Sequence, residues 1–471
     1  MLATASLITK LSKRERFFFN KHCSGSERKS FYILYKFLES KPNIEFKALK
    51  THFANTPIGN NLSVELNLLQ KRILRSLHIF RLNNKSIEYT MLKNISYARI
   101  LYEKKELKNA AKLITQTKKL GYKYEEFVFL THLIILEEQL GYDSINASIH
   151  KILKKLRQER ERLNQILNEL NTLRKLRTRI IELQYTEGNY VHNTALYPEI
   201  FKSDYITLDD YQNSIKGKDH FYLFKSIAFS LIGQTEKSLK YNKLKYENVK
   251  NNQHIFTPVD ELKSMQNIIY HFILLNDKIN FNKEFEVFES YKNRPGIPEN
   301  LFSYFTAYLQ LRFGIAILNL EALNTYIPFA INILNTMKFN LTQTNLLHHN
   351  LIGALIMIKD FDKAQDYLIS WDKIKKINHA ENAVKIARLI VYKELNKIAL
   401  LKSEYRSFKK TVKIKNKLSE LILEYFNSHI TGKNKMSGKE LHKKLIILFK
   451  EENLKKYYNE FYFLSWAKSI S

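Results

Sequence analysis

The sequence predicts an all-α protein, and three observations carry that prediction. The 471-residue chain contains only 12 Gly and 7 Pro, against roughly 7% and 5% in an average protein. Hairpin turns and βα loops consume both residues, so a sheet protein of this length is disfavoured. Hydrophobic residues make up 45% of the chain, enough for a real core and too many for wholesale disorder. Apolar residues also recur at three- and four-residue steps, the period of a helix with one buried face.

Residues 1–86 read as a basic N-terminal helical module. Ser12 and Glu15 form a capping box that opens a helix through Phe17, Phe18 and Phe19 to His22. A second helix spans about Arg28–Glu39 and stops at Lys41-Pro42-Asn43, and a short one covers Glu45–Phe53. Thr56-Pro57-Ile58-Gly59 reads as a turn before a fourth helix over about Leu62–Leu82. That helix buries Leu62, Leu66, Leu69, Ile73, Leu77 and Phe80. Lys71, Arg75, His78 and Lys85 fall on its opposite face.

Residues 87–188 read as helical hairpins that include one long helix, about Ser144–Gln184, with Ile149, Leu156, Leu163 and Leu170 seven apart. It ends at Gly188. Residues 189–218, with Pro198 and Gly217, lack apolar periodicity and form an irregular boundary. Residues 219–471 read as stacked hairpins, and Thr257-Pro258-Val259-Asp260 starts a helix there with an N-cap and a proline in the first turn.

Within that last region a period appears. Ile327-Pro328-Phe329-Ala330, Phe361-Asp362-Lys363-Ala364 and Leu395-Asn396-Lys397-Ile398 lie 34 residues apart, as do Leu318, Ile352 and Ile386. An apolar residue three before a small one lets antiparallel helices cross closely, which makes Ala330, Phe361, Ala364 and Leu395 repeat-packing positions. Lys105-Glu106-Leu107-Lys108-Asn109-Ala110 adds Ala110, and Gly233–Ser238 is a weaker copy.

This spacing, with Lys359-Asp360-Phe361-Asp362-Lys363-Ala364, resembles a tetratricopeptide repeat. The resemblance implies a right-handed, tetratricopeptide-like α-solenoid over about half of the chain, with the copies degenerate at Ile398. Such arrays commonly bind peptides in a groove, and some clamp a C-terminal carboxylate with Lys, Asn and Arg. The matching positions here are Ile315, Asn319, His349, Gly353, Ala383 and Ala387, so the clamp is not present. The opening Leu11-Ser12-Lys13-Arg14-Glu15-Arg16-Phe17-Phe18, with Ile73-Leu74-Arg75-Ser76-Leu77, is similar to the start of an uncharacterised family of helical-repeat proteins from Bacteroidetes-type bacteria. That resemblance implies fold and compartment, and no activity.

Lys and Arg total 76 against 46 Asp and Glu, for a net charge of +30. Residues 1–85 carry 16 basic and 5 acidic side chains, and residues 402–471 carry 16 and 7, so two thirds of the excess sits at the ends. With Lys outnumbering Arg 59 to 17, and Asn, Ile, Phe and Tyr abundant, an AT-rich coding bias accounts for part of this charge. The clustering at the ends is what such a bias does not predict.

A single cysteine, Cys23, excludes an intramolecular disulfide or a thiolate zinc site and points to a reducing compartment. Met1–Thr9 lacks the basic flank of a signal peptide, and no apolar run approaches ~18 residues. A cytoplasmic location without membrane association is the expectation.

Signatures of catalysis are missing. Gly432–Glu440 has five residues between its first glycine and Gly438, and Glu440 stands where a P-loop needs Ser or Thr. Ser437 and Glu440 instead read as a capping box. The 14 His show no metal-ligand spacing, so no catalytic residue, metal site or cofactor is expected. The leading expectation is a non-catalytic interaction or scaffold protein that holds a protein or peptide in a helical-repeat groove. The alternative is a nucleic-acid-binding regulator, with a helix-turn-helix-like arrangement in which Lys71, Arg72, Arg75 and Lys85 meet phosphates or bases. At the far end Lys455, Lys456, Tyr457, Tyr458, Phe461, Tyr462, Phe463 and Trp466 read as an aromatic capping helix over the last hairpin. Oligomeric state is not legible.

Overall fold

A computed structural model describes residues 2–23, 29–82, 86–143, 149–186, 194–372, 381–411, 417–432, 435–451 and 463–471. Those residues form 25 α-helices, one short 3-10 turn at Thr194–Leu196, and no strand. Lys85, Gly188, Lys433, Asn434 and the aromatic run Lys455–Tyr462 lie outside the described residues. The chain divides into two compact units, Met1–Asn164 and Gln165–Ser471.

The first unit opens with α1 (Ala3–Thr9), α2 (Lys13–His22), α3 (Ser30–Ser40), α4 (Phe46–His52), α5 (Pro57–Asn60) and α6 (Leu62–Leu82). The Ser12–Glu15 capping box is present, and the hydrogen bonds from Ser12 hold the Glu15 carboxyl below its ordinary range. Two elements differ from the sequence reading. Met1–Thr9 contributes α1, whose Ala5 and Ile8 are buried and whose last carbonyls accept from the Arg16 guanidinium. Thr56–Gly59, read as a turn, starts a one-turn helix because the Thr56 hydroxyl accepts from the Gly59 N–H. Leu34, Leu38, Leu49, Leu69 and Ile73 close one core. Three more helices, α7 (Ile87–Glu103), α8 (Leu107–Lys123) and α9 (Phe127–Asp143), close a second around Met91, Ala98, Ala110 and Leu133.

Helix α10 (Ile149–Thr186) begins in the first unit and continues into the second. There two short helices, α11 (Pro198–Phe201) and α12 (Asp204–Thr207), occupy part of the stretch that lacks periodicity. Hairpins follow: α13 (Ile215–Leu231) with α14 (Thr235–Asn251), α15 (Pro258–Leu274) with α16 (Lys278–Glu289), and α17 (Glu299–Ile317) with α18 (Leu320–Thr336). Next come α19 (Leu341–Met357) with α20 (Phe361–Asp372), α21 (Glu381–Glu394) with α22 (Ile398–Thr411), and α23 (Lys417–Thr431) with α24 (Gly438–Glu451). The last helix is α25 (Phe463–Ser469). The first helices α15, α17, α19 and α21 touch in succession as one row.

One device links the two helices of each of the first five hairpins. A residue in the left-handed region ends the first helix, and its successor begins the next: Gly233, Asn276, Leu318, Lys359 and Asn396. The N–H of the successor donates to a carbonyl five residues back, as Asn319 does to Gly314 and Asp360 to Leu355, which is the Schellman closure of a helix end. Lys105 and Glu125 do the same between α7 and α8 and between α8 and α9.

These links recur at intervals of 43, 42, 41 and 37 residues. The 34-residue register is therefore not the hairpin register. Ala364 lies in the first turn of α20, whereas Ala330 lies in the second half of α18. In α22 the place corresponding to Ala364 is held by fully buried Leu401, while Ile398 is 39% exposed. The reason is length: helices of 17 to 19 residues make up much of this region, so each hairpin needs more chain than the period assumed. Ala110, Ala330 and Ala364 are fully buried, and Phe361 and Leu395 pack at the edge of the core.

Candidate interaction surfaces and a buried polar cluster

The N-terminal candidate residues lie on α6. Lys71, Arg72 and Arg75 are exposed and make no ion pair among the described residues. The Arg72 guanidinium stacks 4.2 Å over the Phe31 ring, which fixes it against α3. Val64, Leu68 and Leu74 are also exposed on α6, so this face is mixed apolar and basic rather than purely cationic. Between α4 and α6, α5 fills the connection that a helix-turn-helix closes with a turn of three or four residues.

A second basic surface was missed as a site by the sequence reading. Along α22, Lys402, Arg406 and Lys410 stand at four-residue steps, about 6 Å apart along the helix axis. With Ala399, Ser403 and Ser407 they line an open groove of about 550 Å³. The three cations make no ion pair among the described residues, since Glu404, on the same helix, turns inward towards Arg388 at 3.9 Å. The signal was present as an i, i+4, i+8 basic spacing, hidden by the general abundance of lysine.

Chemistry-bearing side chains also meet inside the second unit, on α13, α14 and α15. Ser238 Oγ lies 2.6 Å from His271 Nε2 and 2.7 Å from the Ser226 carbonyl oxygen. His271 Nδ1 lies 2.8 Å from the Asn267 carbonyl oxygen, which can only accept, so Nδ1 carries the ring proton, and the single Ser238 hydroxyl proton serves either the Ser226 carbonyl or Nε2 but not both at once. Asn242 stands 3.3 Å away on the other side of the ring. Burial pushes the His271 pKa down.

The arrangement has the groups of a nucleophile, base and orienter, but Ser238 is 0%, Asn242 3% and His271 6% exposed. No substrate reaches a closed cluster of this kind. Its hydrogen bonds satisfy polar groups that tie three helices together. Lys245 extends the same buried layer by donating to Ser264 at 3.0 Å and pairing with Asp219 at 2.9 Å. Lys225 is buried among Tyr241, Phe221 and Phe229, donates to the Leu208 carbonyl and has its pKa lowered by burial.

Among the described residues no group of His, Cys, Asp and Glu is placed to hold a metal ion, and no helix is long and apolar enough to cross a membrane. Buried Cys23 has its thiol pKa raised by that burial. The chain matches no protein-family model, and no curated protein matches it.

Proposed function

We propose that the protein is a non-catalytic interaction protein, a helical-hairpin array of right-handed, tetratricopeptide-like arrangement with lengthened repeats, that binds an acidic segment of a protein partner. The observation that carries this reading is the face of α22 where Lys402, Arg406 and Lys410, which make no ion pair among the described residues, line one open groove. Carboxylates at i, i+4 and i+8 of a partner helix match that spacing. Among the described residues no aromatic side chain lines the groove, whereas single-stranded nucleic acid is normally held by basic grooves that also stack bases.

The test is fluorescence anisotropy with a helical peptide carrying Glu at i, i+4 and i+8. The reading predicts saturable binding that weakens as salt rises and screening shortens from ~10 Å at 0.1 M to ~3 Å at 1 M. The variant Lys402→Glu/Arg406→Glu/Lys410→Glu should lose it. Equal binding by that variant removes the groove assignment.

Nucleic-acid binding through α6 is the second reading, favoured by Lys71, Arg72 and Arg75, which are exposed and make no ion pair among the described residues. A gel shift with duplex and single-stranded nucleic acid tests it. Retardation that falls steeply with salt and disappears in Lys71→Glu/Arg72→Glu/Arg75→Glu supports it. Retardation unchanged by those substitutions removes it.

A further inference from the structure

Arg406 occupies the middle of the α22 groove. Lys402 lies one turn before it and Lys410 one turn after, so these two stand about 12 Å apart along the helix axis. Ser403, three residues before Arg406, is its neighbour on the same face. All four residues are exposed.

The Ser403 hydroxyl is in an unusual state for its position. Hydroxyls inside helices often donate to the carbonyl four residues back, as Ser264 does to Asp260 and Thr325 to Glu321. Ser403 makes no side-chain hydrogen bond among the described residues. Its proton is therefore available to a ligand seated on Arg406. Among the described residues no acidic side chain lines the groove, and Glu404 turns away towards Arg388. A guanidinium, two ammonium groups and a hydroxyl thus face one channel without a carboxylate to repel an anion.

These donors exceed what three carboxylates use. A carboxylate has two oxygens and one charge, which the guanidinium fork satisfies by itself, leaving Ser403 idle. A phosphate monoester has three terminal oxygens and about −1.5 to −2 charge at pH 7. Two of its oxygens match the Arg406 fork, and the third matches the Ser403 hydroxyl.

We infer that Arg406 and Ser403 form a phosphate subsite, and that the acidic partner segment carries phosphoserine or phosphothreonine there, with carboxylates one turn to either side for Lys402 and Lys410. The inference rests on the reading of the α22 groove as a site for an acidic segment and names its central group. A lipid headgroup offers the same phosphate, but among the described lining residues no apolar one is larger than Ala399, so nothing there enters a bilayer. Free phosphate would leave the outer lysines without partners.

The probes are two labelled helical peptides with Glu at i and i+8, one with phosphoserine and the other with Glu at i+4. Each is titrated by anisotropy into the full-length wild type, Arg406→Lys and Ser403→Ala. Both positions are exposed, so the variants should melt as wild type does.

Wild type should bind the phosphopeptide about tenfold more tightly than its twin. Arg406→Lys keeps the charge and loses the fork, so the two peptides should then differ by less than about threefold. Ser403→Ala should weaken the phosphopeptide alone. Equal binding of both peptides by wild type overturns the phosphate subsite and leaves the acidic-segment reading standing, whereas binding of neither overturns both. A preference that survives both variants unchanged also overturns the subsite, because the phosphate would then be held elsewhere.

Two competitors identify the source of the phosphate. Displacement of the phosphopeptide by inorganic phosphate at the peptide's own concentration would mark a free-anion site. Capture of wild type, but not Arg406→Lys, by phosphatidylcholine vesicles containing phosphatidic acid would mark a headgroup site. Either result overturns the assignment to a partner segment.

Discussion

Gly314 on α17 and Leu323 on α18 face each other so closely that a methyl group at 314 would lie 2.6 Å from Leu323 Cδ2. Gly121 and Leu130 stand in the same relation at 2.7 Å. In both pairs one residue lies four before a left-handed link residue and the other five after it. The pairs Leu101–Ala110 and Leu355–Ala364 occupy the same two places with the small residue on the other helix. One large and one small side chain at the base of a hairpin let the two helices approach, whichever of them supplies the small one.

Gly314→Ala should therefore destabilise the protein by about 1–3 kcal/mol despite the better helix propensity of alanine, because the pair becomes overpacked. Leu323→Ala alone should cost about 2–5 kcal/mol. The double variant should fall short of the sum by about 0.5–3 kcal/mol, since each change makes room for the other. Urea denaturation of the four chains measures the coupling, and strict additivity would show that the two side chains do not compete for one space.

The link residues give a prediction of opposite sign. Lys359 is exposed and holds φ at 63°, where a side chain is disfavoured. Lys359→Gly should raise stability by about 0.5–1 kcal/mol, read as a higher urea midpoint with unchanged slope. A lower midpoint would contradict the left-handed link.

Thr257 starts α15 in a full capping box, its hydroxyl accepting from the Asp260 N–H while the Asp260 carboxylate accepts from the Thr257 N–H at 2.9 Å. Thr257→Ala should cost about 1 kcal/mol, and Thr257→Ser much less. Thermal melts of the three chains check the order.

Stability should also depend on pH through the buried imidazoles. Burial lowers the pKa of His271, and also of His220 and His348, so each stays neutral in the folded chain below the pH at which it charges when unfolded. The unfolded chain then binds more protons, so stability is complete above about pH 6.5 and is lost as pH falls through the folded values. Each group contributes up to about 1.4 kcal/mol per pH unit in that window. Urea midpoints at pH 7.5 and 5.5 should drop for wild type and drop less for His271→Gln. A profile with no acid loss would contradict neutral, buried imidazoles.

What could be read from the sequence was local. Ser12 with Glu15, Thr257 with Asp260, and Ser437, whose hydroxyl accepts from the Glu440 N–H at 3.1 Å, announce helix starts through residue types that only those positions favour. The amphipathic stripe of α6 was equally plain, with Leu62, Leu66, Leu69 and Ile73 buried. The hairpin links were not legible, because four of the five left-handed residues between α13 and α22 are not glycine. Without those marks, alanines at chance intervals supplied a false period that paired Ala330 with Ala364.

The buried layer around Ser238 and His271 was hidden for another reason. Serine, asparagine and lysine on α13–α15 look like a solvated face until the third helix is brought against them. The place of α25 was equally out of reach, since the sequence shows Phe463 and Trp466 three residues apart but not that the Trp466 ring packs on Tyr425 and Phe426 of α23.

The most direct test of an interaction protein is hydrogen–deuterium exchange on the full-length chain with and without the acidic helical peptide. The account predicts slowed exchange across residues 398–411, with Lys402, Arg406 and Lys410 in contact, and unchanged exchange across α6. Protection confined to residues 62–82, or no protection at a saturating concentration, would contradict it.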